Sequence, residues 1–174
     1  MQNAKIELLP YFPSQKDAIR RWPFHEIALP LQYNIHIINI AMMEPNEMTN
    51  DMPRRERAVM YKRTNNCCQA VLLAFAPELG LSEDRLMAMG ACFGSGMGCM
   101  EETCGALCGA QMVQGLLQFD HRRMNPQASQ LRTLFEQSCG ATRCKDLKGM
   151  GSGRVLCSCE DCVRNAVDAL EQML

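Results

Sequence analysis

The eleven cysteines of this 174-residue chain are confined to one part of it. None lies in residues 1–66, and all of them fall between Cys67 and Cys162. Because their number is odd, full pairing into disulfides within one chain is impossible. In a reducing compartment, clustered thiols more often bind metal or take part in redox chemistry than form structural disulfides. Such a role is therefore the main hypothesis, and packing of small apolar side chains is the alternative.

Composition narrows the class of protein further. Hydrophobic residues make up 47% of the chain, which is enough to build a core. The net charge of −1 argues against nucleic acid as the main partner, since phosphate binding normally shows as a basic excess. No stretch approaches the roughly 18 apolar residues of a membrane span, and the first residues lack the pattern of a signal peptide. We therefore expect a cytoplasmic protein.

Residues 1–52 differ in composition from the rest and are predicted to form an irregular or poorly ordered N-terminal extension. They hold five of the eight prolines, too many for a long helix. Residues 31–41 (LQYNIHIINIA) have the β-branched content of a short strand, and residues 44–57 read as a polar linker. The extension could be a lid or a docking arm. Alternatively, the natural start lies later, at Met43, Met48 or Met52.

From residue 53 onward the pattern predicts an all-α bundle of about five helices. Apolar residues at positions 60, 67, 71 and 75 predict one helix that ends near Gly80. A second helix is expected from Ser82 to about residue 91, and a third from near Thr103. The pair Asn125–Pro126 opens a fourth helix, which Gly140 ends, and the last begins near Glu160. Glycine-rich loops are expected at residues 93–98 and 148–154.

Five glycines are candidates for lining a cofactor site. Those of the loop 90–102 fit neither the dinucleotide fingerprint nor a P-loop. Their N–H groups could face an anion or the sulfurs of a cluster, or the loop could be only a flexible turn. Two more lie four residues apart in CGALCG and would let another helix or a cofactor approach closely. The candidates are Gly94, Gly96, Gly98, Gly105 and Gly109.

Several cysteines occupy positions that favour a thiolate. Cys104 lies in the opening turn of the third helix, where free N–H groups and the helix dipole should lower its pKa. Cys108 follows on the same face, and buried thiols at a tight helix crossing are the alternative. Cys144 lies between two basic residues, which should also favour its thiolate. Cys139 continues an apolar stripe and is expected in the core.

The run CSCEDC (157–162) ends in a C-x-x-C pair where the last helix begins. Such a dithiol can cycle to a disulfide or bind a metal. A zinc site usually has two such pairs or added histidines, whereas this region holds only His121. No strand–helix–strand unit surrounds the pair, so the thioredoxin context is missing.

These motifs together resemble the C_GCAxxG_C_C family of redox-active proteins. The elements are NC-x-QAVLLAF, GACFGSGMG, CGALCGA, C-x-DL and C-x-x-CV-x-x-A, in this order over about residues 55–174. The resemblance implies a small helical domain with a redox role. It maps the family's four cysteines onto Cys67, Cys104, Cys144 and Cys162. The chain is also similar to the non-haem part of split-Soret-type cytochromes, which implies an iron–sulfur cluster; haem motifs are absent from the sequence.

Three functions are open at this point. The first is an iron–sulfur protein with those four cysteines as ligands and Cys108, Cys157 and Cys159 as secondary candidates. The second is a dithiol–disulfide redox protein in which Cys104 attacks and another cysteine resolves. The third is a structural, zinc-stabilised interaction module without turnover. For the redox functions we expect a protein redox partner, because no nucleotide-binding signature is present, and the chain could form a homodimer.

Overall fold

A computed structural model describes residues 52–174, and these fold into eight α-helices without a strand. The all-α prediction is thus confirmed for this part, although the helices number eight rather than five. The predicted extension, except Met52, and the predicted strand at 31–41 lie outside the described residues. The helices are α1 (Arg54–Lys62), α2 (Cys67–Ala74), α3 (Ala76–Leu79), α4 (Glu83–Gly90), α5 (Gly105–Gln118), α6 (Asn125–Cys139), α7 (Cys144–Leu147) and α8 (Cys159–Glu171), with a 3₁₀ turn at Ala91–Phe93.

The single first helix predicted from the periodicity is in fact three helices, α1, α2 and α3. A capping box at Asn66 starts α2 anew: its side-chain oxygen accepts a hydrogen bond from the Gln69 N–H at 3.0 Å. The Gln69 side chain in turn accepts one from the Asn66 N–H at 3.0 Å. This reciprocal pair satisfies N–H groups that a new helix leaves free. The predicted linker was also too long, since α1 already begins at Arg54.

Helix α2 is the centre of the fold. It packs against α1, α4, α5 and α8, and all of its residues except Gln69 are buried. A helix that is apolar on every side must be enclosed in this way. These neighbours contribute Leu86, Leu107 and Leu170, which are buried completely or nearly so. Burial of each such side chain stabilises the fold by about 1.5–3 kcal/mol.

The crossing of α2 and α5 is unusually close because α5 carries glycines there. A Cβ atom on Gly109 would lie 2.7 Å from the Cys68 carbonyl oxygen and 3.1 Å from the Val71 Cβ. A Cβ on Gly105 would lie 2.3 Å from the Phe93 carbonyl oxygen. The sequence predicted that another helix or a cofactor would approach these glycines. In the structure, other segments of the chain approach them. The beginnings of α2 and α5, each carrying a cysteine, are thereby brought together.

Two loops complete this end of the bundle. Thr103 and Arg143 form an isolated antiparallel bridge. The Cys104 N–H donates to the Thr142 carbonyl at 2.8 Å, and the Cys144 N–H donates to the Glu102 carbonyl at 2.9 Å. The residues that precede α5 and α7 therefore run side by side, so that Cys104 and Cys144 are neighbours.

Candidate functional site

Four helices begin with a cysteine in the same region. Cys67, Cys144 and Cys159 are the first residues of α2, α7 and α8, and Cys104 is the N-cap of α5. The Cys67 thiol is hydrogen-bonded to Cys159 and interacts electrostatically with Cys104. Cys144 interacts with both Cys104 and Cys159. We name these four residues the outer cysteine group; Cys159 is exposed and the other three are buried.

A second set of thiols lies next to the first. The sulfur atoms of Cys139, Cys157 and Cys162 all lie within 4.8 Å of one another, and all three residues are buried. The Asn165 amide nitrogen lies 3.3 Å from the Cys139 sulfur and 3.8 Å from the Cys157 sulfur, and donates to both. We name these three cysteines the inner cysteine group. It touches the outer group through a hydrogen bond between Cys162 and Cys104.

The Lys148 side chain interacts with both cysteine groups. The Lys148 ammonium donates to the Cys157 carbonyl oxygen at 2.8 Å and lies 3.6 Å from the Cys162 sulfur. It is also hydrogen-bonded to Cys159. Burial opposes its charge, but interaction with the Cys162 and Cys159 sulfurs outweighs burial and raises the pKa of Lys148. A fixed positive charge therefore lies between the two sets of thiols.

The acidity of the thiols differs from the prediction. The pKa of Cys104 is raised, because its thiol is hydrogen-bonded to Cys162 and buried, although the N–H groups of Ala106 and Leu107 act in the opposite direction. Burial likewise raises the pKa of Cys144, against the effect of Lys148. The predictions of low pKa values at Cys104 and Cys144 were therefore wrong, since they counted the dipole and nearby charge but not burial.

Cys159 is the acidic thiol of the group. A hydrogen bond from Cys67 and the nearby charge of Lys148 outweigh its partial burial and lower its pKa to about 5. Its donor shows the opposite change, because the bond to Cys159, burial and the charge of Cys159 all raise the pKa of Cys67. The most exposed thiol of the outer group is thus also the one most readily ionised.

The remaining cysteines belong to other surroundings. Cys68 points to the core side of α2, where its sulfur lies 3.8 Å from that of Met112. Cys108, a secondary candidate, is buried near Cys68, and burial raises its pKa to about 11. Cys92 and Cys99 are exposed. Cys139, expected only as core, is buried as predicted but is also part of the inner group.

The glycine-rich loop packs around Cys144. Gly96 has a φ of +56°, and a Cβ there would lie 2.6 Å from the Cys144 Cβ. A Cβ on Gly94 would lie 2.8 Å from the Cβ of Asn66. The Gly98 N–H donates to a carbonyl oxygen within the loop. The loop thus fits closely against α7 and the start of α2, and an anion-binding role for Gly94, Gly96 and Gly98 stays a prediction.

Both groups offer only sulfur as donor atoms. His121 is the single histidine in the described part of the chain, and its ring packs against Phe119, with 5.1 Å between the centroids. Thiolates without imidazole or carboxylate suit iron–sulfur clusters, zinc and other thiophilic ions. The donor set therefore fits the cofactor that the resemblance implies.

Three contributors to the site were missed from the sequence: Lys148, Asn165 and the contact of Cys159 with Cys67. Lys148 and Asn165 stand in no motif, and only tertiary packing brings them to the thiols. For Cys159 a signal existed. Ser158 caps α8 by accepting a hydrogen bond from the Asp161 N–H at 3.1 Å, which makes Cys159 the first helical residue, as Cys67 is in α2.

The fold and the site define a helical protein with a cysteine centre suited to metal or redox chemistry. Comparison with known families matches residues 65–173 to the family described as "Putative redox-active protein (C_GCAxxG_C_C)". The chain belongs to this family. Searches of curated proteins and of solved structures found no match. Among residues 52–174, no helix has the length and apolar character needed to cross a membrane.

Proposed function

We propose that the protein transfers electrons through an iron–sulfur cluster held by the outer cysteine group. The observation that carries the proposal is that Cys67, Cys104, Cys144 and Cys159 stand at the N-terminal ends of four helices. Cys67 is hydrogen-bonded to Cys159 and interacts electrostatically with Cys104, and Cys144 interacts electrostatically with both Cys104 and Cys159. Helix N-termini favour negative charge, and α2, α5 and α8 are long enough to contribute. The positive ends of these helices would stabilise the negative charge of a centre of four thiolates.

Four cysteine thiolates are the usual ligands of an iron–sulfur cluster, which when bound supplies one-electron redox chemistry. The chain's own contribution is to hold and shield the thiols. The N–H groups of Ala106 and Leu107 donate to the Cys104 sulfur. Lys148, and Lys62 at the end of α1, bring positive charge to Cys159. Hydrogen bonds and positive charge at the sulfurs favour the reduced, more negative state and so raise the reduction potential.

We propose Cys159, rather than Cys162, as the fourth member of this centre. The family pattern alone favoured Cys162, but the two residues lie three positions apart on α8 and meet different neighbours. Cys159 is hydrogen-bonded to Cys67 and interacts electrostatically with Cys144. Cys162 is hydrogen-bonded to Cys104, but its sulfur lies with those of Cys139 and Cys157. The exposed edge of Cys159 also gives electrons a short path to a protein partner at the surface. We further expect a reducing, cytoplasmic location, which would keep the thiols free.

Dithiol–disulfide exchange is the second candidate, because the Cys67 and Cys159 thiols are already hydrogen-bonded and Cys159 is exposed. Here the Cys67 and Cys159 pair would pass two electrons to a disulfide of a partner protein, whose two sulfurs take up the protons that the pair releases and become thiols. One sulfur–sulfur bond would form between Cys67 and Cys159, and the partner's bond would break. This reaction requires no metal.

The decisive experiment is anaerobic purification of the full chain with iron, sulfide and zinc analysis and a visible spectrum. The cluster proposal expects iron and sulfide with a charge-transfer band. The Cys67→Ala variant should lose iron and sulfide. The Cys68→Ala variant should keep them, because the Cys68 sulfur of the wild type faces Met112 and not the outer group. Cys159→Ser should lose iron and Cys162→Ser should retain most of it.

Two outcomes would contradict the cluster. A colourless, metal-free protein with a reversible Cys67–Cys159 disulfide in mass spectrometry would support thiol exchange instead. One zinc ion in the outer group without redox cycling would support the structural interaction module.

A further inference from the structure

The inner cysteine group is a concentration of buried sulfur that the proposed function does not use. Cys139 ends α6, Cys157 lies in the segment before α8, and Cys162 is in the first turn of α8. Their exposed fractions are 3%, 6% and 0%. Cys139 and Cys157 also lie outside the four positions of the family pattern. The positions of these three sulfurs relative to one another indicate a separate role for the inner cysteine group.

We infer that the inner cysteine group binds a thiophilic divalent cation, with zinc as the reference ion, at a site distinct from the outer group. Zinc–sulfur bonds of about 2.3 Å place the sulfurs of a tetrahedral site about 3.8 Å apart. The three sulfur atoms already lie within 4.8 Å of one another. Closing them around an ion requires shifts of less than about 1 Å, within the reach of χ1 adjustments.

The surroundings of the three sulfurs are polar in the way that thiolates require. The Asn165 amide donates to the sulfurs of Cys139 and Cys157. If the group were only apolar packing, this half-buried amide would donate to neutral thiols, which are weak acceptors. Hydrogen bonds of this kind hold metal-bound thiolates in position and reduce their charge.

Charge balance also favours a divalent ion. Three thiolates around such an ion carry one net negative charge. The Lys148 ammonium, 3.6 Å from the Cys162 sulfur, supplies the compensating positive charge inside the fold. A buried centre is stable only when its charge is paired in this way. Within residues 52–174, no carboxylate or imidazole joins the three sulfurs, which selects against hard cations such as magnesium or calcium.

An ion here would connect elements that are distant in the chain. It would fasten the end of α6 to the start of α8 across the intervening segment, residues 140–158. Because Cys159 begins the same helix as Cys162, it would also fix the position of one member of the outer group. The site would therefore act structurally, and its loss should raise the mobility of the start of α8.

The test separates the two groups by mutation of the full chain. In the double variant Cys67→Ala/Cys159→Ala the outer group is incomplete and the inner group is intact. The reduced, metal-free protein is titrated anaerobically with zinc against a chromophoric chelator, and with cobalt, whose thiolate charge-transfer band reports sulfur ligation. We expect one zinc ion per chain. Adding Cys139→Ala or Cys157→Ala should weaken binding at least 100-fold, whereas adding Cys92→Ala, which removes an exposed thiol, should leave it unchanged.

Asn165→Leu provides a test of positioning that keeps all three sulfurs. In the double-variant background it should weaken zinc binding about 10- to 100-fold, as loss of a hydrogen bond to a metal ligand usually does. Circular dichroism checks that each variant folds. If the double variant does not fold, the same series is made in the wild-type background, where each inner variant should lose one zinc equivalent.

The inference is overturned if the double variant binds no zinc, or if Cys139→Ala and Cys157→Ala bind it within threefold of their parent. A Cys139–Cys157 disulfide in the protein purified anaerobically would overturn it too. The iron content of the wild type and of the Cys139→Ala and Cys157→Ala single variants is measured separately. Absence of iron in the wild type would sink the cluster proposal and leave the zinc result standing.

Discussion

Replacing Gly109 by alanine should destabilise the protein, although alanine is the better helix former. Gly109 lies inside α5, where alanine alone would stabilise by about 1 kcal/mol. The new methyl group, however, would lie 2.7 Å from the Cys68 carbonyl oxygen and 3.2 Å from its Cα. Both are backbone atoms of α2, which cannot rotate away as a side chain could. The two helices must therefore move apart.

The size of the effect follows from two opposing terms. Overpacking of a core contact costs about 1–3 kcal/mol, and the gain in helix propensity offsets about 1 kcal/mol of it. The net loss of up to about 2 kcal/mol should lower the melting temperature by up to about 8 °C for a domain of this size. Because Cys67 begins the helix that is pushed away, iron content should fall as well.

Gly115→Ala is the matched control in the same helix. No atom of the part of the chain that the structure describes lies within 4 Å of a Cβ at Gly115, so only the propensity term applies. This variant should raise the unfolding free energy by up to about 1 kcal/mol. Urea and thermal unfolding of the wild type and both variants measure the difference. If Gly109→Ala were as stable as Gly115→Ala, the close crossing would not constrain the fold and the reasoning would fail.

Three further predictions concern other parts of the molecule. Asn66→Ala should lower the unfolding free energy, measured by urea titration, by about 1–3 kcal/mol. The substitution removes the cap of α2 and two hydrogen bonds, which the Asn66 amide donates to carbonyl oxygens at 2.9 and 3.1 Å. Burial raises the pKa of Glu78, but the hydrogen bond from Arg54 outweighs it, so the net pKa is lowered from 4.5. The ion pair should therefore stabilise the fold above about pH 4.5 and lose its effect as pH falls through the lowered pKa. In thermal unfolding, Glu78→Gln should be less stable than the wild type by up to about 1 kcal/mol at pH 7, and the difference should shrink as pH falls through that pKa. Brief alkylation of the reduced, metal-free protein should first modify the exposed thiols, which are Cys92, Cys99 and Cys159. Peptide mass mapping identifies the modified residues, and early modification of Cys104 or Cys162 would contradict their burial.

The longer helices could be predicted from the sequence because their ends carry local signals. Gly140 ends α6 with a φ of +85°, as its position after an apolar stripe predicts. The four-residue helices α3 and α7 could not be predicted, since a single turn is too short for periodicity to show. The break between α1 and α2 was missed for a different reason. Its signal is the capping box at Asn66, which lies within an apolar repeat that continues across it.

The candidate site could be predicted only in part, because its members meet through tertiary contacts. The motifs placed Cys104 in the opening turn of a helix, and it is the N-cap of α5. Cys67 was expected inside a longer helix and no helix was predicted at Cys144, whereas both residues begin a helix. Spacing could not decide between Cys159 and Cys162, since a change of three residues on one helix moves a thiol from one set of neighbours to another. The acidity of Cys104 was predicted wrongly because a helix dipole acts locally, whereas burial and the Cys162 thiol depend on the whole fold.

The richness in cysteine thus has several causes rather than one. Cys68 and Cys108 fill the close crossing of α2 and α5, where small side chains are needed beside Gly109. The outer and inner groups instead meet at the start of α8, with Lys148 between them. A change at Lys148 should therefore affect both groups, whereas a change at Asn165 acts directly only on the inner one. Because Cys159 and Cys162 share one helical turn, an ion bound by the inner group would also fix the position of Cys159 in the outer group.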